Sequence, residues 1–496
     1  MSDDYSENYR TELGKLKRAA IDAWVKDQID TPLTPLLITE ADYAWSETIG
    51  GTGDMSISTV LVYSISRPGQ NGELGGEYSC NGKYDASQTA YYIAMFNSVR
   101  VSIDNILSGF DDLPDPAMFQ QINTNLDTIV KKLPGKVFGS GSVIPGALLV
   151  ITEELGKMDS KTISAFRTYL SRLPKVTDNF GLAAESLFAT VLGEQELWTR
   201  ARHDTMELVT SARKAFDKHA KSHAGYGSMR SSLGDLFTVV GAVASAVAAW
   251  GPEAGAAAII AAGIKIIDAL VHAETLKPKE ITDQNYTGIL TALSESVGSP
   301  DNPPPWSLSE SGLRGNLYLE EERLRSALAS NAATVVANIE FGWDLANPYK
   351  GKDAPEDLWP SKKMDVEPAQ ADTIGDELAN IYPVLLSARD LLEKSVMDAP
   401  WQRPENIGCV FGGFTAPSSK LPGASRPTGT GCYRAWCDLL WALYSRMDDL
   451  AVELEDDSIK FPNAVHAIKE HDEAARRQFE QITYIISDDY GHPGLL

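Results

Sequence analysis

Cysteine is scarce: Cys80, Cys409, Cys432 and Cys437 are the only four among 496 residues. That excludes a disulfide-dense scaffold, in which covalent bridges make up for a small core. Cys432 and Cys437 stand five apart on an expected helix, about 140° from each other, so they do not bridge mutually. A Cys409–Cys432 bond would close the Gly/Pro-rich stretch between them, but simple buried thiols are the plainer expectation. Basic side chains are also short, 44 Lys and Arg against 68 Asp and Glu, for a formal net charge of −24. This excludes nucleic acid as a partner, because phosphate binding needs clustered cations. It favours solubility instead. No apolar run reaches the ~18 residues of a membrane-spanning helix. The first residues are polar, with Asp3, Asp4, Glu7, Arg10, Lys15, Lys17 and Arg18, and carry no apolar core or cleavage site. The chain is therefore expected to be made in the cytoplasm without a classical signal, any export using another one.

Motifs of chemistry are lacking as well. His219 and His223 have a metal-capable i,i+4 spacing, but Lys218 and Lys221 flank them and no HExxH occurs, so a solvated helix end is expected. Gly139-Ser140-Gly141-Ser142-Val143 lacks the closing glycine of a nucleophile elbow. Gly50-Gly51-Thr52-Gly53 precedes a strand instead of following one, unlike a dinucleotide fingerprint. Acidic runs such as Glu320-Glu321-Glu322 and Glu455-Asp456-Asp457 have no apolar enclosure to raise a pKa. No catalytic residue, cofactor or metal site is expected, and the protein is read as a non-enzyme.

What is present is helical periodicity. Leu13, Leu16, Ala20, Ala23 and Trp24 line one face of a first helix that Thr31-Pro32 stops. Alternation over Met55–Ser66 sets Ile57, Thr59, Leu61, Tyr63 and Ile65 on one side of a strand, with Glu77–Cys80 as its return. Helices are expected over Ala90–Phe110, Pro116–Leu133 and Ala147–Leu155, and another from Asp159 that Pro174 interrupts. From Thr177 to Ala220 the stripe Phe188, Val191, Gln195, Trp198, Arg202, Thr205, Val209, Ala212 and Phe216 predicts one helix on the order of 60 Å long. Thr282–Val297 adds a helix, Ser307-Leu308-Ser309-Glu310 a capping box, and Pro368–Ser395 a further helix. Cys432–Glu455 and Pro462–Ile486 are expected as two separate closing helices. The fold class is mainly α: an elongated multi-helix bundle with a small β-hairpin insertion near the N-terminus. The expected divisions are 1–135, with the insertion near 55–80; 136–298; a Pro-rich linker at 299–306; and 307–496, with a long loop at 399–431.

Between Asp235 and Lys265 lie 29 residues, of which Glu253 alone is charged. Leu236–Trp250, containing Val240, Gly241 and Ser245, turns at Gly251-Pro252-Glu253-Ala254-Gly255 into a second arm with Ile260 and Ile264. Gly241 with Ser245, and Ala258 with Ala262, form small-xxx-small rows that allow close helix approach. Two readings stand open. The hairpin is either the innermost pair of a bundle, apolar all round because it is surrounded, or a concealed tongue that contacts membrane. The first arm, at about 22 Å, is short of a hydrocarbon core of about 30 Å.

The run Leu187–Arg202 (LFATVLGEQELWTRAR), leading through the long helix to GAVASAVAAWGPEAGAAAIIAAG, resembles large helical proteins of actinobacteria related to WxG-type substrates of type VII (ESX) secretion. The resemblance spans roughly residues 145–300. No Trp-x-Gly turn is present, since Trp198 precedes Thr199-Arg200 and Trp343 precedes Asp344-Leu345. The resemblance implies a non-catalytic interaction protein, exported or envelope-associated, with protein partners or self-association and the secretion machinery among its contacts. It also implies a Tyr-x-x-x-Asp/Glu export tag near the C-terminus, which Tyr484 and Asp488 match, as do Tyr444 and Asp448. Five such spacings occur, at Tyr43, Tyr318, Tyr349, Tyr444 and Tyr484, so spacing alone discriminates little. An α-helical pore-forming toxin with a concealed apolar tongue, and a cytoplasmic scaffold protein, are the alternatives.

Overall fold

The computed structural model describes residues 4–31, 34–49, 59–69, 73–134, 141–158, 161–222, 285–298, 312–315, 317, 321, 324–325, 328, 367–403, 407 and 431–490. Within these the protein is mainly helical, with one small antiparallel sheet near the N-terminus. The first helix, α1 (Asp4–Ile29), buries Leu16, Ala20 and Ala23 and half-buries Leu13 and Trp24, the stripe that its periodicity predicts. Asp4 and Glu7 in its first turn and Lys26 in its last complement the helix dipole.

The sheet is larger than a hairpin. Its five strands, β1 (Leu37–Ile38), β2 (Asp42–Ile49), β3 (Thr59–Ser66), β4 (Tyr78–Cys80) and β5 (Lys83–Tyr84), follow one another as a meander. β2 lies before the expected insertion and pairs along its whole length with β3, from Asp42 opposite Ser66 to Ile49 opposite Thr59. Tyr43, Trp45, Ile65 and Tyr78 face inward. There Trp45 stacks on Tyr63 with centroids 5.4 Å apart, and Tyr78 stacks on Tyr92 of α2 (Ala86–Ile106) at 5.8 Å. A polar link fixes the sheet to α1. The Tyr43 hydroxyl donates to Asp22 Oδ1 at 2.5 Å, and Arg67 donates to both Asp22 oxygens and to the Thr39 carbonyl. Burial and the neighbouring Asp22 carboxylate push the Tyr43 phenol well above its ordinary pKa, keeping it a donor.

After α3 (Gln120–Lys132), α4 (Ile144–Lys157) and α5 (Lys161–Leu170) comes α6 (Leu173–Lys221), 49 residues and on the order of 70 Å long. Pro174 does not interrupt it; it occupies the first turn, where its missing N–H costs nothing. From Asn179 to Val191 every residue is buried, so this stretch is enclosed on all sides. Within it the Ser186 hydroxyl donates to the Leu182 carbonyl and Thr190 to the Ser186 carbonyl, and further along Thr205 donates to the Ala201 carbonyl. α1 and α3 pack along α6, as does the closing helix.

α7 (Tyr286–Val297) is capped by Asn285, whose side chain accepts from Gly288 N at 2.7 Å. α8 (Pro368–Glu393) and α9 (Tyr433–Tyr490) form the most extensive helix pair among the described residues. α9 is a correction to the expected pair of closing helices. It runs unbroken for 58 residues with Pro462 inside it. Cys432 and Cys437 are free and buried, as is expected of thiols that do not bridge; Cys409 lies outside the described residues. So do the 299–306 linker and the Ser307–Glu310 capping box.

Candidate functional site

Of the residues the sequence singles out, Tyr484 and Asp488 fall in α9, where i,i+4 spacing puts them on one side of the helix, a turn apart. The apolar hairpin (Leu236, Val240, Gly241, Ser245, Trp250, Gly251, Pro252, Gly255, Ile260 and Ile264) lies outside the described residues. The other tag-like pair in the closing helix, half-buried, packs against α8. The Arg389 guanidinium of α8 pairs with Asp448 and lies 5.8 Å from the Tyr444 ring centroid. The Tyr43–Glu47 spacing is on a strand, so those residues share a sheet face and not a helix turn. Tyr318 and Tyr349 lie outside the described residues.

The helix α6 ends in a joint. Asp27 of α1 receives His219 Nε2 on one oxygen at 2.6 Å and the Tyr286 backbone N–H on the other at 2.6 Å. Lys26 donates to the Ser222 carbonyl, and the rings of Phe216 and Tyr286 lie 5.9 Å apart. The end of α6 and the start of α7 therefore meet on the last turn of α1. His219, half of the metal-capable pair, is taken by this carboxylate, while His223 lies outside the described residues.

The most concentrated polar site was not legible as a motif. Arg403 is buried between Glu194 of α6 and Glu321, with Nη2 at 2.6 Å from Glu194 Oε2 and Nε at 2.8 Å from Glu321 Oε1. All three side chains are almost fully enclosed, at 3%, 0% and 0% exposure. The guanidinium carbon sits 4.4 Å over the Trp198 ring, whose Nε1–H donates to the same Glu194 oxygen at 2.9 Å. Cys432 Sγ donates to the other Glu194 oxygen at 3.1 Å. Burial first, then Glu194 beside it, pushes the Cys432 thiol up, so it stays protonated as a donor. Burial also pushes Cys437 up, to about 12.

The local sequence explains how the cluster is built. Glu194 falls three residues after Val191 and four before Trp198, on the buried side of α6. A carboxylate there requires a cation. Arg403 follows the short 3₁₀ turn Ala399–Trp401, whose Trp401 packs between Phe119, Tyr433 and Trp436. Gly431 closes the other side with φ of 63°, and a β-carbon there would stand 2.9 Å from Arg403 Nη2. Chemically the arrangement is a clamp. Three donors converge on Glu194 and tie the 399–403 segment and the start of α9 to the central helix. Among the described residues no group of three His, Cys, Asp or Glu side chains is gathered to hold a metal, and no helix is long and apolar enough to cross a membrane. No family model matches the chain, and no curated protein or solved structure matches it.

Proposed function

We propose that the protein is a non-catalytic helical interaction protein, exported in the manner of type VII secretion substrates, with Tyr484 and Asp488 as the recognition pair. The observation that carries this reading is the place of the Tyr484/Asp488 pair near the end of the long closing helix α9, whose earlier part is anchored. Tyr444 and Asp448 are taken by Arg389 of α8. Tyr484 and Asp488 occur on the continuation of the same helix, past Lys469, which meets Glu367 just before α8 begins. From Lys469 to Tyr490 the helix runs a further 30 Å or so at about 1.5 Å per residue. A long helix with its first part anchored and a Tyr-x-x-x-Asp pair near its end is suited to helix-in-groove recognition, where side chains i and i+4 reach the partner together. The acidic balance of the chain, a net charge of −24, agrees with a solubility suited to this route. Expression in a host carrying a type VII system tests it. Tyr484→Ala is expected to abolish accumulation in the culture supernatant while leaving the cellular pool folded. Undiminished accumulation would contradict the proposal.

A further inference from the structure

The two faces of the sheet differ in character. Tyr43, Trp45, Ile65 and Tyr78 close the inner face against the core. The alternate residues form the outer face: Asp42, Ala44, Ser46 and Thr48 on β2, and Val60, Val62, Ser64 and Ser66 on β3. β1 adds Leu37, in register with Ala44, and β5 adds Tyr84, in register with Ser79. Val60 and Val62 are 52% and 50% exposed, and Leu37 and Tyr84 are both 61% exposed. Asp42 is the one charged side chain among them, in a chain of net charge −24. An exposed, nearly neutral and partly apolar face on so acidic a protein marks a contact surface.

That face is complementary to itself. Along the β2–β3 ladder Asp42 lies across from Ser66, Ala44 from Ser64, Ser46 from Val62 and Thr48 from Val60. The row formed by Trp45 and Tyr63 is the midpoint of the outer set on both strands. A two-fold axis laid along this row turns a second sheet face down with its strands antiparallel to the first. It exchanges position 60 with 66, 62 with 64, 42 with 48 and 44 with 46. Val60 and Val62 of each copy then lie over Ser66 and Ser64 of the other. Large meets small, as two sheet faces packed about 10 Å apart require. Asp42 is carried to Thr48, whose hydroxyl can donate to it. The acidic end of the sheet, where Glu40 adjoins Asp42 and the Glu77 carbonyl accepts from Ser66, falls over the opposite end at Ile49 and Thr59. A two-fold axis along the strands would instead bring the acidic ends together.

We infer that the outer face is the contact between two copies of this chain, a sheet-on-sheet dimer in which the same patch serves both sides, centred on the Trp45–Tyr63 row. Five strands about 4.8 Å apart span about 19 Å, and eight residues at about 3.3 Å each run about 26 Å. The patch is on the order of 500 Å² per copy, so the pair buries roughly 1,000 Å², the least that a specific interface needs. The dimer is therefore weak and depends on concentration. Net charge opposes association of two such chains, and this face lets them meet without setting carboxylate against carboxylate. The inference rests on the sheet alone and is independent of the C-terminal pair.

Sedimentation velocity of the intact protein is the test. Over roughly 1–500 μM the average mass should rise from 53.9 kDa toward twice that value. Val62→Glu sets a carboxylate against Ser64 of the other copy, and Ser64→Lys sets an ammonium against Val62. Each variant alone should weaken dimerisation about tenfold or more. Mixed in equal amounts, the two variants should dimerise again. The introduced carboxylate and ammonium then meet at one of the two equivalent contacts, while the other keeps its valine and serine. Unfolding midpoints check that both variants keep the fold, and Val60→Glu with Ser66→Lys is the equivalent pair should either fold poorly. A wild type that stays monomeric throughout, a dimer that neither variant weakens, or a mixture that stays monomeric would overturn the inference. So would a monomer that binds phosphatidylcholine vesicles and loses that binding with Val62→Glu.

Discussion

Gly375 of α8 passes Pro462 of α9 so closely that a β-carbon on Gly375 would stand 2.7 Å from Pro462 Cγ and 2.6 Å from the Ser458 carbonyl oxygen. The two contacts have one origin. Proline has no N–H to return to the carbonyl four residues earlier, so the Ser458 carbonyl loses its partner within the helix and turns toward the neighbouring one. A glycine opposite gives it room. The helix continues through its proline because the adjoining helix accommodates the bulge.

Gly375→Ala is therefore expected to destabilise the protein by about 1–3 kcal/mol, since backbone and ring must both move apart. Gly76→Ala, where an added β-carbon meets nothing within 4 Å, should stay within about 0.5 kcal/mol of wild type. Urea midpoints of the two variants, measured side by side, check the contrast. Equal midpoints would show that α8 and α9 are not in this contact.

The Arg403 clamp makes a larger demand. Arg403→Met leaves the Glu194 and Glu321 carboxylates enclosed without their shared cation, and a loss of about 3–5 kcal/mol is expected. Glu194→Gln should cost less, because its amide oxygen still accepts from Trp198 and Arg403. If the two residues act as one unit, the double variant should lose less than the sum of the singles by about 0.5–3 kcal/mol. Additive losses would show that they act separately.

Stability should also respond to Asp438. Burial raises its pKa to about 6, against which the Arg434 charge pulls only partly. The folded state then holds a proton that the unfolded chain releases nearer its ordinary 3.8, so between those values the folded state binds more protons. Stability from this group is present at the acid end of the window and is lost as pH rises through about 6. Asp438→Asn should raise the Tm at neutral pH, and its advantage should shrink as pH falls below 6 toward the unfolded value. A constant difference across the range would contradict the assignment.

What could be read from the chain, and what could not, follows from sequence distance. The long helix is legible because Phe188, Trp198, Val209 and Phe216 repeat locally on one face; its start is not, because Pro174 reads as a breaker by itself but occupies the first turn. The closing helix was divided at Pro462 because the allowance made by Gly375 comes from another helix. β2 is marked by Tyr43 and Trp45 at period two, but Asp42, Ser46 and Glu47 give it a weaker strand signal than the Val/Ile-rich β3. The Arg403 clamp was hidden. Its ion pairs join residues 82 and 209 positions apart, and the only local hint is a glutamate on the buried face of α6.

The central claim rests on the two Tyr-x-x-x-Asp pairs of α9 having different roles, and one measurement separates them. Wild type, Tyr484→Ala and Asp448→Asn are expressed in the same secreting host, and the supernatant-to-cell ratio of each is quantified beside a cytoplasmic lysis marker. Tyr484→Ala should lose export with an unchanged melting temperature. Asp448→Asn, which breaks the pairing with Arg389, should lower the melting temperature and leave the exported fraction of folded protein unchanged. Export that survives Tyr484→Ala and fails with Asp448→Asn would contradict the account.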